Sequence, residues 1–204
     1  MGLSKGGQTR LDIATALAWL MPGTLLIIAA LLAATGDTGR EWLRFDRGPI
    51  ADGELWRLVT GHLVHLGLTH LLLNAAGLVL VWILVGRAFQ SVGWLAVIAG
   101  SIAAIDIGLW TFSPALEWYV GLSGLLHGML AAGIVASWQD RSVEALILGV
   151  IIAGKLAYEQ LLGPLPGSEG TSGGTVIVDA HLYGVIGGVI MASILIRVRQ
   201  TTPI

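Results

Sequence analysis

Residues 120–138 read Val-Gly-Leu-Ser-Gly-Leu-Leu-His-Gly-Met-Leu-Ala-Ala-Gly-Ile-Val-Ala-Ser-Trp, an apolar run that carries Ser123 and His127 near its beginning. A membrane-spanning helix needs about 20 mostly apolar residues, because each residue rises about 1.5 Å across a hydrocarbon core about 30 Å thick. The run has nearly that length and contains no charged side chain. It therefore predicts a span with polar groups near one end, where polar groups are costly and mark function by default.

Five further stretches of similar length and polarity lie along the chain. They cover about 13–34, 66–85, 92–112, 143–162 and 175–196. The 204 residues are 55% hydrophobic and 12% charged, whereas soluble domains carry about 25% charged residues. We therefore expect an all-α polytopic membrane protein, a single domain over residues 1–204 built as a bundle of six transmembrane helices.

The two longest connections differ in composition. Residues 35–65 are rich in charge and contain Trp42 and Trp56, which suits a loop at the membrane interface. Residues 163–174 are rich in Gly, Pro and Ser, which is typical of a mobile loop.

Charge predicts the orientation of the six spans. One side carries Lys5, Arg10, Arg87, Arg141, Arg197 and Arg199, and the other carries Arg40, Arg44, Arg47 and Arg57 in a loop shared with five acids. The positive-inside rule then places both termini in the cytoplasm. The net charge of −2 argues against nucleic acid as a partner. The chain has no cysteine, which removes disulfides, thiolate catalysis and cysteine metal sites.

Polar residues recur at matching depth in alternate spans. The second span begins with His70 and Asn74, the fourth with Ser123, and the sixth with Asp179 and His181. Because alternate spans run in the same direction, their first halves lie near the same membrane face. These side chains are therefore expected near the outer face.

Small residues repeat every fourth position in the fourth and sixth spans. The stripes are Gly124, Gly128 and Ala132 in one, and Ala180, Gly184, Gly188 and Ala192 in the other. Such faces let two helices cross closely. Ser123 precedes the first small residue of its stripe and His181 follows the first of the other, so packing of the stripes would bring the two side chains together.

The chemistry of these side chains assigns roles. A serine hydroxyl becomes a good nucleophile when a base within about 2.6–3.2 Å takes its proton, and His181 has the right chemistry for that base. His70 and Asn74 are spaced i, i+4 and so share a helix face. With the backbone N–H of Ser123 they could donate to an oxyanion. Asp179 lies two residues from His181, on another side of the helix, so we expect a Ser-His dyad and not a triad.

Four motifs in order resemble the rhomboid intramembrane proteases, over nearly the whole chain from Trp56 to Ala192. They are Trp56-Arg57, His70-Leu71-Leu72-Leu73-Asn74, Gly121-Leu122-Ser123-Gly124, and Ala180-His181 with Gly184 and Gly188. The resemblance implies a serine protease without a cofactor or metal, in which Ser123 and His181 are catalytic. It also implies that the enzyme cuts a peptide bond near the outer end of a substrate's transmembrane segment.

Within that family the chain looks like a rhombosortase. The features are the run at 121–128, the Lys-Leu-Ala-Tyr-Glu-Gln stretch at 155–160 and the small six-helix build. This resemblance implies a bacterial inner-membrane enzyme whose active site opens to the periplasmic face. Its partners would be membrane lipid and exported proteins that end in a Gly-Gly motif, a hydrophobic span and a basic cluster.

His127 departs from the broader rhomboid pattern, which has a tyrosine four residues after the serine. At i+4 from Ser123, its ring could compete for the role of base, stack on or hydrogen-bond to His181, or act only in packing.

Residues outside the dyad are expected to have supporting roles. Gly121 would keep the site narrow, and Trp56 and Arg57 would organise the first loop or contact substrate. Lys155 and Glu159 lie i, i+4 and either neutralise each other in the membrane or contact the substrate.

Three further polar residues, His62, His65 and Asp106, are not expected to take part in catalysis. His62 and His65 precede the second span, and with His70 they suggest a metal cluster, but no His-Glu-x2-His motif is present. We favour packing of the loop for both. Asp106 is expected to face a water-accessible pocket.

Two other classes of function compete with proteolysis. A catalytically inactive rhomboid relative could act as a membrane adaptor, although such relatives usually lack the serine or the histidine that this chain keeps. A small metal transporter could use the five histidines, which are His62, His65, His70, His127 and His181.

Overall fold

The structure is a computed structural model that describes residues 19–139 and 142–201. The start of the first predicted span, 13–18, lies outside the described residues. So do Lys5, Arg10 and Arg141, which contribute to the predicted orientation.

The described residues form ten α-helices and one two-stranded antiparallel sheet. In chain order these are α1 Leu20–Ala33, α2 Gly36–Leu43, β1 Phe45–Asp46, α3 Arg47–Ala51, α4 Arg57–Thr60, α5 Leu68–Val85, α6 Ser91–Phe112, β2 Trp118–Tyr119, α7 Ser123–Trp138, α8 Val143–Leu162, α9 Ser168–Ser172 and α10 Val178–Thr201.

Four of these helices, α5, α6, α8 and α10, are long and apolar enough to cross a membrane. A fifth is added if α1 and α2, which are bent by 115° against each other, count as one span. The helix α7 has 16 residues and is shorter than the about 20 that a straight span needs. The predicted helical membrane fold is thus confirmed, while helix length supports four or five of the six predicted spans among the described residues.

Local sequence explains where two of the long helices begin and end. The Ser142 hydroxyl caps α8 by accepting from the Ala145 N–H at 3.2 Å, and Gly163 ends the helix with φ 86°. The observed bounds of α8 equal the predicted ones. The helix α7 begins three residues later than predicted, at Ser123, because Gly121 has φ 122° and interrupts helical geometry.

The predicted small-residue crossing of α7 and α10 is confirmed. A Cβ added to Gly124 would lie 2.8 Å from the Ala180 carbonyl oxygen, and one added to Gly184 or Gly188 would collide with the carbonyl of Gly124 or Gly128. No side chain larger than hydrogen fits at these points of closest approach. The two backbones are therefore in direct contact over about two helical turns.

The first loop, residues 35–65, folds over the end of this crossing at which α7 and α10 begin. It contains α2, β1, α3 and α4. Phe45 pairs with Tyr119 and Asp46 with Trp118, which joins the loop to the segment that leads into Ser123. Residues 163–174, expected to be a mobile loop, include the short helix α9.

Two hydrophobic clusters hold the bundle together. One includes Leu78, Trp82, Trp94 and Met129. The other includes Phe45, Ile105, Leu109, Tyr119 and Ala180, and it packs the first loop and β2 onto α6 and α10. Both clusters include a residue of α10, Ala192 in the first and Ala180 in the second.

We expect Gly184→Leu to lower the free energy of unfolding by about 1–3 kcal/mol or more, because the added side chain must push α10 away from α7. Thermal unfolding in detergent measures the change. The matched control is Gly154→Leu in α8, where an added Cβ meets no atom within 4 Å. Equal stability of the two variants would contradict the close crossing.

Candidate active site

Ser123 is the first residue of α7, and its hydroxyl faces the imidazole of His181 on α10. The Ser123 Oγ lies 3.0 Å from His181 Nε2. His181 is 4% exposed, and Ser123 is half-buried. The structure thus brings the predicted nucleophile and base within hydrogen-bonding distance, and the side chain of the serine keeps access to the surface.

The second nitrogen of the His181 ring contacts a carboxylate that we expected elsewhere. His181 Nδ1 lies 2.9 Å from Glu159 Oε2, and Lys155 Nζ lies 2.6 Å from Glu159 Oε1. The Lys155 ammonium is also 3.4 Å from His181 Nδ1. The predicted neutralising pair is present. However, its carboxylate lies on the ring of the predicted base, so the geometry contains a third member beyond the expected dyad.

His127 stacks on His181. The ring centroids are 4.2 Å apart and the planes are inclined by 16°. The His127 Nδ1 atom lies 2.7 Å from the backbone carbonyl oxygen of Ser123, and this acceptor makes Nδ1 the protonated nitrogen of a neutral ring. The structure therefore matches the stacking alternative, and the Nδ1–H bonds the backbone carbonyl of Ser123.

His127, Glu159 and His181 offer ligand atoms that all lie within 4.8 Å of one another. Distance alone would allow a metal ion here. The two imidazole planes are nearly parallel, so their in-plane lone pairs do not converge on one point. The Lys155 ammonium bonded to Glu159 would also repel a cation. The chemistry of the cluster thus favours a hydrogen-bonded chain over a metal site.

Donors that could bind an oxyanion surround Gly121. His70 Nδ1 accepts the Leu66 N–H at 3.3 Å, so a neutral His70 ring carries its proton on Nε2. A Cβ added to Gly121 would lie 3.0 Å from that Nε2 and 3.8 Å from Asn74 Nδ2. Both predicted donors thus face the same small region, beside the residue two positions before Ser123.

Among the described residues, two of the three predicted oxyanion donors have no hydrogen-bond partner. They are the side-chain amide of Asn74 and the backbone N–H of Ser123. Asn74 is 5% exposed, and its Nδ2 is buried without a hydrogen bond. The N–H of Ser123, at the first position of α7, has no acceptor within the helix. Because a buried unpaired donor costs free energy, it needs an explanation such as a catalytic role. An oxygen anion held between these groups would satisfy both.

The backbone before Ser123 is fixed by the first loop and by β2. The Gly121 N–H donates to the Gly61 carbonyl at 3.1 Å, and the Tyr119 hydroxyl donates to the Gly121 carbonyl at 2.6 Å. Burial raises the pKa of Tyr119, so this hydroxyl keeps its proton. With φ 122° and His70 too close for a side chain, position 121 requires glycine.

The Trp56-Arg57 pair organises the first loop, which is one of the two roles predicted for it. Arg57 is 4% exposed. Its Nε lies 2.6 Å from Glu54 Oε2, and its Nη1 donates to the carbonyls of Glu41 at 2.8 Å and Arg44 at 3.1 Å. Trp56 stacks against Trp42 with ring centroids 5.4 Å apart and is 42% exposed, so it lies at the surface of the loop.

The expectation that Asp106 faces a water-accessible pocket is wrong. Asp106 is 9% exposed, and its Oδ1 lies 3.1 Å from Nε2 of the fully buried His62. Asp179, which we did not expect to orient His181, accepts from the Ser113 hydroxyl at 2.6 Å. These two carboxylates join segments of the scaffold and do not contact Ser123 or His181.

His65 packs edge-on against His70, with ring centroids 5.1 Å apart. Burial and the neighbouring His70 lower the pKa of His65 to about 4. The neutral, buried ring of His65 packs against His70, which agrees with the packing role predicted for the loop histidines.

A cavity of about 510 Å³ lies beside the strand β2. It is lined by residues 115–120 around β2, by Leu66, and by Gly173, Gly174, Thr175 and Ile177. Leu66 holds His70 through its N–H, and Val120 precedes Gly121. Two lining residues, Leu66 and Val120, are thus directly connected to His70 and Gly121.

Sequence reasoning missed two contacts, the bond from Glu159 to His181 and the bond from His62 to Asp106. In both contacts the two residues are far apart in the chain. The spacing of residues within one helix therefore gave no signal for either contact. The placement of Glu159 one turn after Lys155 did mark a polar face of α8, which is the signal that could have led to His181.

The chain is similar to proteins of one known family. The family model of the rhomboid domain matches residues 52–198. YdcA of Bacillus subtilis is 26% identical over 151 residues, covering 74% of this chain and 72% of YdcA. The rhomboid protease GluP of Bacillus subtilis is 29% identical over 146 residues, covering 72% of this chain and 27% of GluP. The rhomboid protease GlpG of Salmonella typhi is 26% identical over 176 residues, covering 85% of this chain and 61% of GlpG.

We expect Arg57→Ala to destabilise the first loop by about 1–3 kcal/mol, because it leaves Glu54 without its cation and the part-buried carbonyls of Glu41 and Arg44 without a donor. Limited proteolysis of residues 35–65 in detergent measures the loosening of the loop. The control is Arg87→Ala, because Arg87 is exposed. Unchanged cleavage of the loop in Arg57→Ala would show that the buried guanidinium is not what holds it.

Proposed function

The chain belongs to the rhomboid family, and we propose that it is an intramembrane serine protease that cuts a substrate near the outer end of its membrane-spanning segment. The observation that carries the proposal is the 3.0 Å separation between Ser123 Oγ and His181 Nε2. A serine and a histidine from different helices meet here inside a membrane bundle, where polar groups are retained for function.

The reaction follows from this geometry. His181 Nε2 takes the hydroxyl proton as Ser123 Oγ attacks the substrate carbonyl carbon. The resulting tetrahedral intermediate collapses when the imidazolium protonates the leaving amine, and an acyl ester on Ser123 remains. Water, deprotonated by the same imidazole, then attacks the ester and releases the new carboxyl terminus together with free Ser123.

The negative oxygen of the tetrahedral intermediate would lie beside Gly121. The Nε2–H of His70, the Nδ2–H of Asn74 and the backbone N–H of Ser123 are the donors assigned to it. Removal of one such donor typically costs about 3–4 kcal/mol of transition-state stabilisation. The absence of a side chain at Gly121 leaves room for the substrate backbone to approach these donors.

We place the site near the outer membrane face of a six-span protein with both termini in the cytoplasm. Ser123, His181 and His70 all lie in the first turns of parallel helices. Arg199 at the other end of α10 lies over the Phe89 ring, 5.5 Å from its centroid, so the basic residues after α5 and α10 share the opposite side. The positive-inside rule assigns that basic side to the cytoplasm.

The resemblance to rhombosortases suggests the substrate class. We propose exported proteins of the bacterial inner membrane that end in a Gly-Gly motif, a hydrophobic span and a basic cluster. Small residues at the cut suit the narrow space between Gly121 and His70, and the cavity beside residues 115–120 and 173–177 can hold the adjoining substrate segment. A basic tail would extend toward the cytoplasmic side with the substrate's own span.

We expect Ser123→Ala to abolish cleavage of a reporter that carries a Gly-Gly, hydrophobic and basic tail, because the nucleophile is lost. Mass spectrometry of the reporter after coexpression identifies the cut position. Labelling of the purified protein by a fluorophosphonate should disappear in the same variant.

The matched control for this variant is Ser137→Ala, which removes a hydroxyl from the far end of α7. It should keep both cleavage and labelling. Cleavage that survives in Ser123→Ala would remove the proteolytic assignment. Labelling without cleavage of this reporter would instead keep the protease and reject the proposed substrate class.

We expect Asn74→Ala to lower kcat by about 10²- to 10³-fold with little change in KM, because the lost donor acts on charge that develops in the transition state. Steady-state cleavage of the reporter measures both constants. Thr69→Ala, an exposed substitution on the same helix, should change neither. A rise in KM with constant kcat would show that Asn74 binds ground-state substrate instead.

A further inference from the structure

We propose that Glu159 completes a Ser-His-Glu triad as the positioning residue of His181, and that Lys155 fixes its carboxylate. The inference rests on the proposed protease function and extends the expected dyad by two residues of α8. Its basis is a continuous chain of four polar groups, from Lys155 through Glu159 and His181 to Ser123.

Both oxygens of the Glu159 carboxylate are used, each by a different partner. Oε1 lies 2.6 Å from the Lys155 ammonium, and Oε2 lies 2.9 Å from His181 Nδ1. Glu159 is 3% exposed, so water contributes little to its solvation. A pair that served only for mutual neutralisation would need one of these contacts, and the second points the carboxylate at the base.

The carboxylate selects the tautomer of His181 that can act as a base. Two donors compete at Nδ1, because Lys155 Nζ is 3.4 Å away. If Lys155 donated to Nδ1, the ring proton would lie on Nε2 and block proton transfer from Ser123. Nδ1 and Glu159 Oε2 would then present lone pairs to each other at 2.9 Å, which is repulsive. A proton on Nδ1 removes this repulsion and leaves Nε2 free to accept.

Lys155 has a second effect, on the carboxylate itself. Its bond to Oε1 keeps Oε2 directed at the ring, because rotation of the carboxylate would break the shorter ion pair. Lys155 is partly exposed, with 26% of its side chain accessible, so the ammonium keeps some solvation while its partner is buried. Burial of the negative charge is thereby compensated without use of His181 as the counter-ion in the resting state.

Glutamine at position 159 provides the sharpest test. In Glu159→Gln the Lys155 ammonium attracts the amide oxygen, so the amide NH₂ faces His181 Nδ1 and forces the unproductive tautomer. In triads the equivalent amide substitution lowers kcat by about 10⁴-fold for this reason. We expect a loss of kcat of about 10³- to 10⁴-fold with KM nearly unchanged, and a parallel loss in the rate of fluorophosphonate labelling.

A second substitution separates tautomer selection from a structural role. In the double variant Glu159→Gln with Lys155→Met, the amide can turn its oxygen toward Nδ1–H and restore the productive tautomer. We expect kcat to recover by about tenfold or more over Glu159→Gln alone. Lys155→Met alone should lower kcat, because it leaves Glu159 without its cation. Such a rescue has no explanation if the pair merely stabilises α8.

Two controls complete the experiment. Glu144→Gln changes a carboxylate on the same helix that bonds Ser142 and lies far from His181, and it should retain wild-type kcat. Glu159→Asp keeps the charge and should regain part of the activity that glutamine loses. Thermal unfolding of each variant in detergent identifies any that fail to fold. The labelling rate of the folded variants then decides whether Glu159 positions His181.

The outcomes separate the two proposals. If the wild-type protein neither cleaves the reporter nor labels in a Ser123-dependent manner, the protease assignment itself fails. If the wild type is active and folded Glu159→Gln keeps its kcat and labelling rate, the triad is overturned. The triad is also overturned if the double variant is no faster than Glu159→Gln.

Discussion

The contact of bare backbone between α7 and α10 is the constraint on which the site depends. Gly124, Gly184 and Gly188 leave no room for a Cβ between the helices. In lipid there is little hydrophobic gain from pairing two apolar helices, so close packing of small residues must hold them together. That packing sets the helix separation at the level of Ser123 and His181, and a larger separation would break the 3.0 Å contact between them.

Chemistry at the end of a membrane helix also needs a rigid backbone before the nucleophile. The first loop provides it through few but well-buried contacts. The carbonyl of Gly61 and the hydroxyl of Tyr119 both hold Gly121, and Arg57 holds the loop by bonds to two backbone carbonyls. Each of these groups would be costly if it were buried and unpaired. The same contacts that satisfy the loop therefore position the proposed oxyanion donors.

The sequence predicts the spans and the crossing because both depend on regular spacing. Runs of about 20 apolar residues mark the helices, and small residues four apart mark the face of α7 that meets α10. Contacts that depend on the rotation of a helix about its own axis have no such signal. Glu159 could be placed one turn from Lys155 but not against His181, and Asp106 could not be placed against His62. In both cases the partner lies on another element, far along the chain, so spacing within one helix carries no signal for the contact.

The balance of charge explains why an ion pair at this depth can assist a reaction. At rest, Lys155 and Glu159 offset each other and His181 is neutral in the productive state. As Ser123 attacks, the imidazolium gains a positive charge and the substrate oxygen a negative one. The positive charge of the imidazolium is next to the carboxylate of Glu159, and the negative charge of the substrate oxygen is next to the proposed donors of His70 and Asn74. No net charge is added to the low-dielectric interior, where an uncompensated charge would be most expensive. The preorganised partners thus act on charge separation itself, which is the part of the reaction that a membrane opposes most strongly.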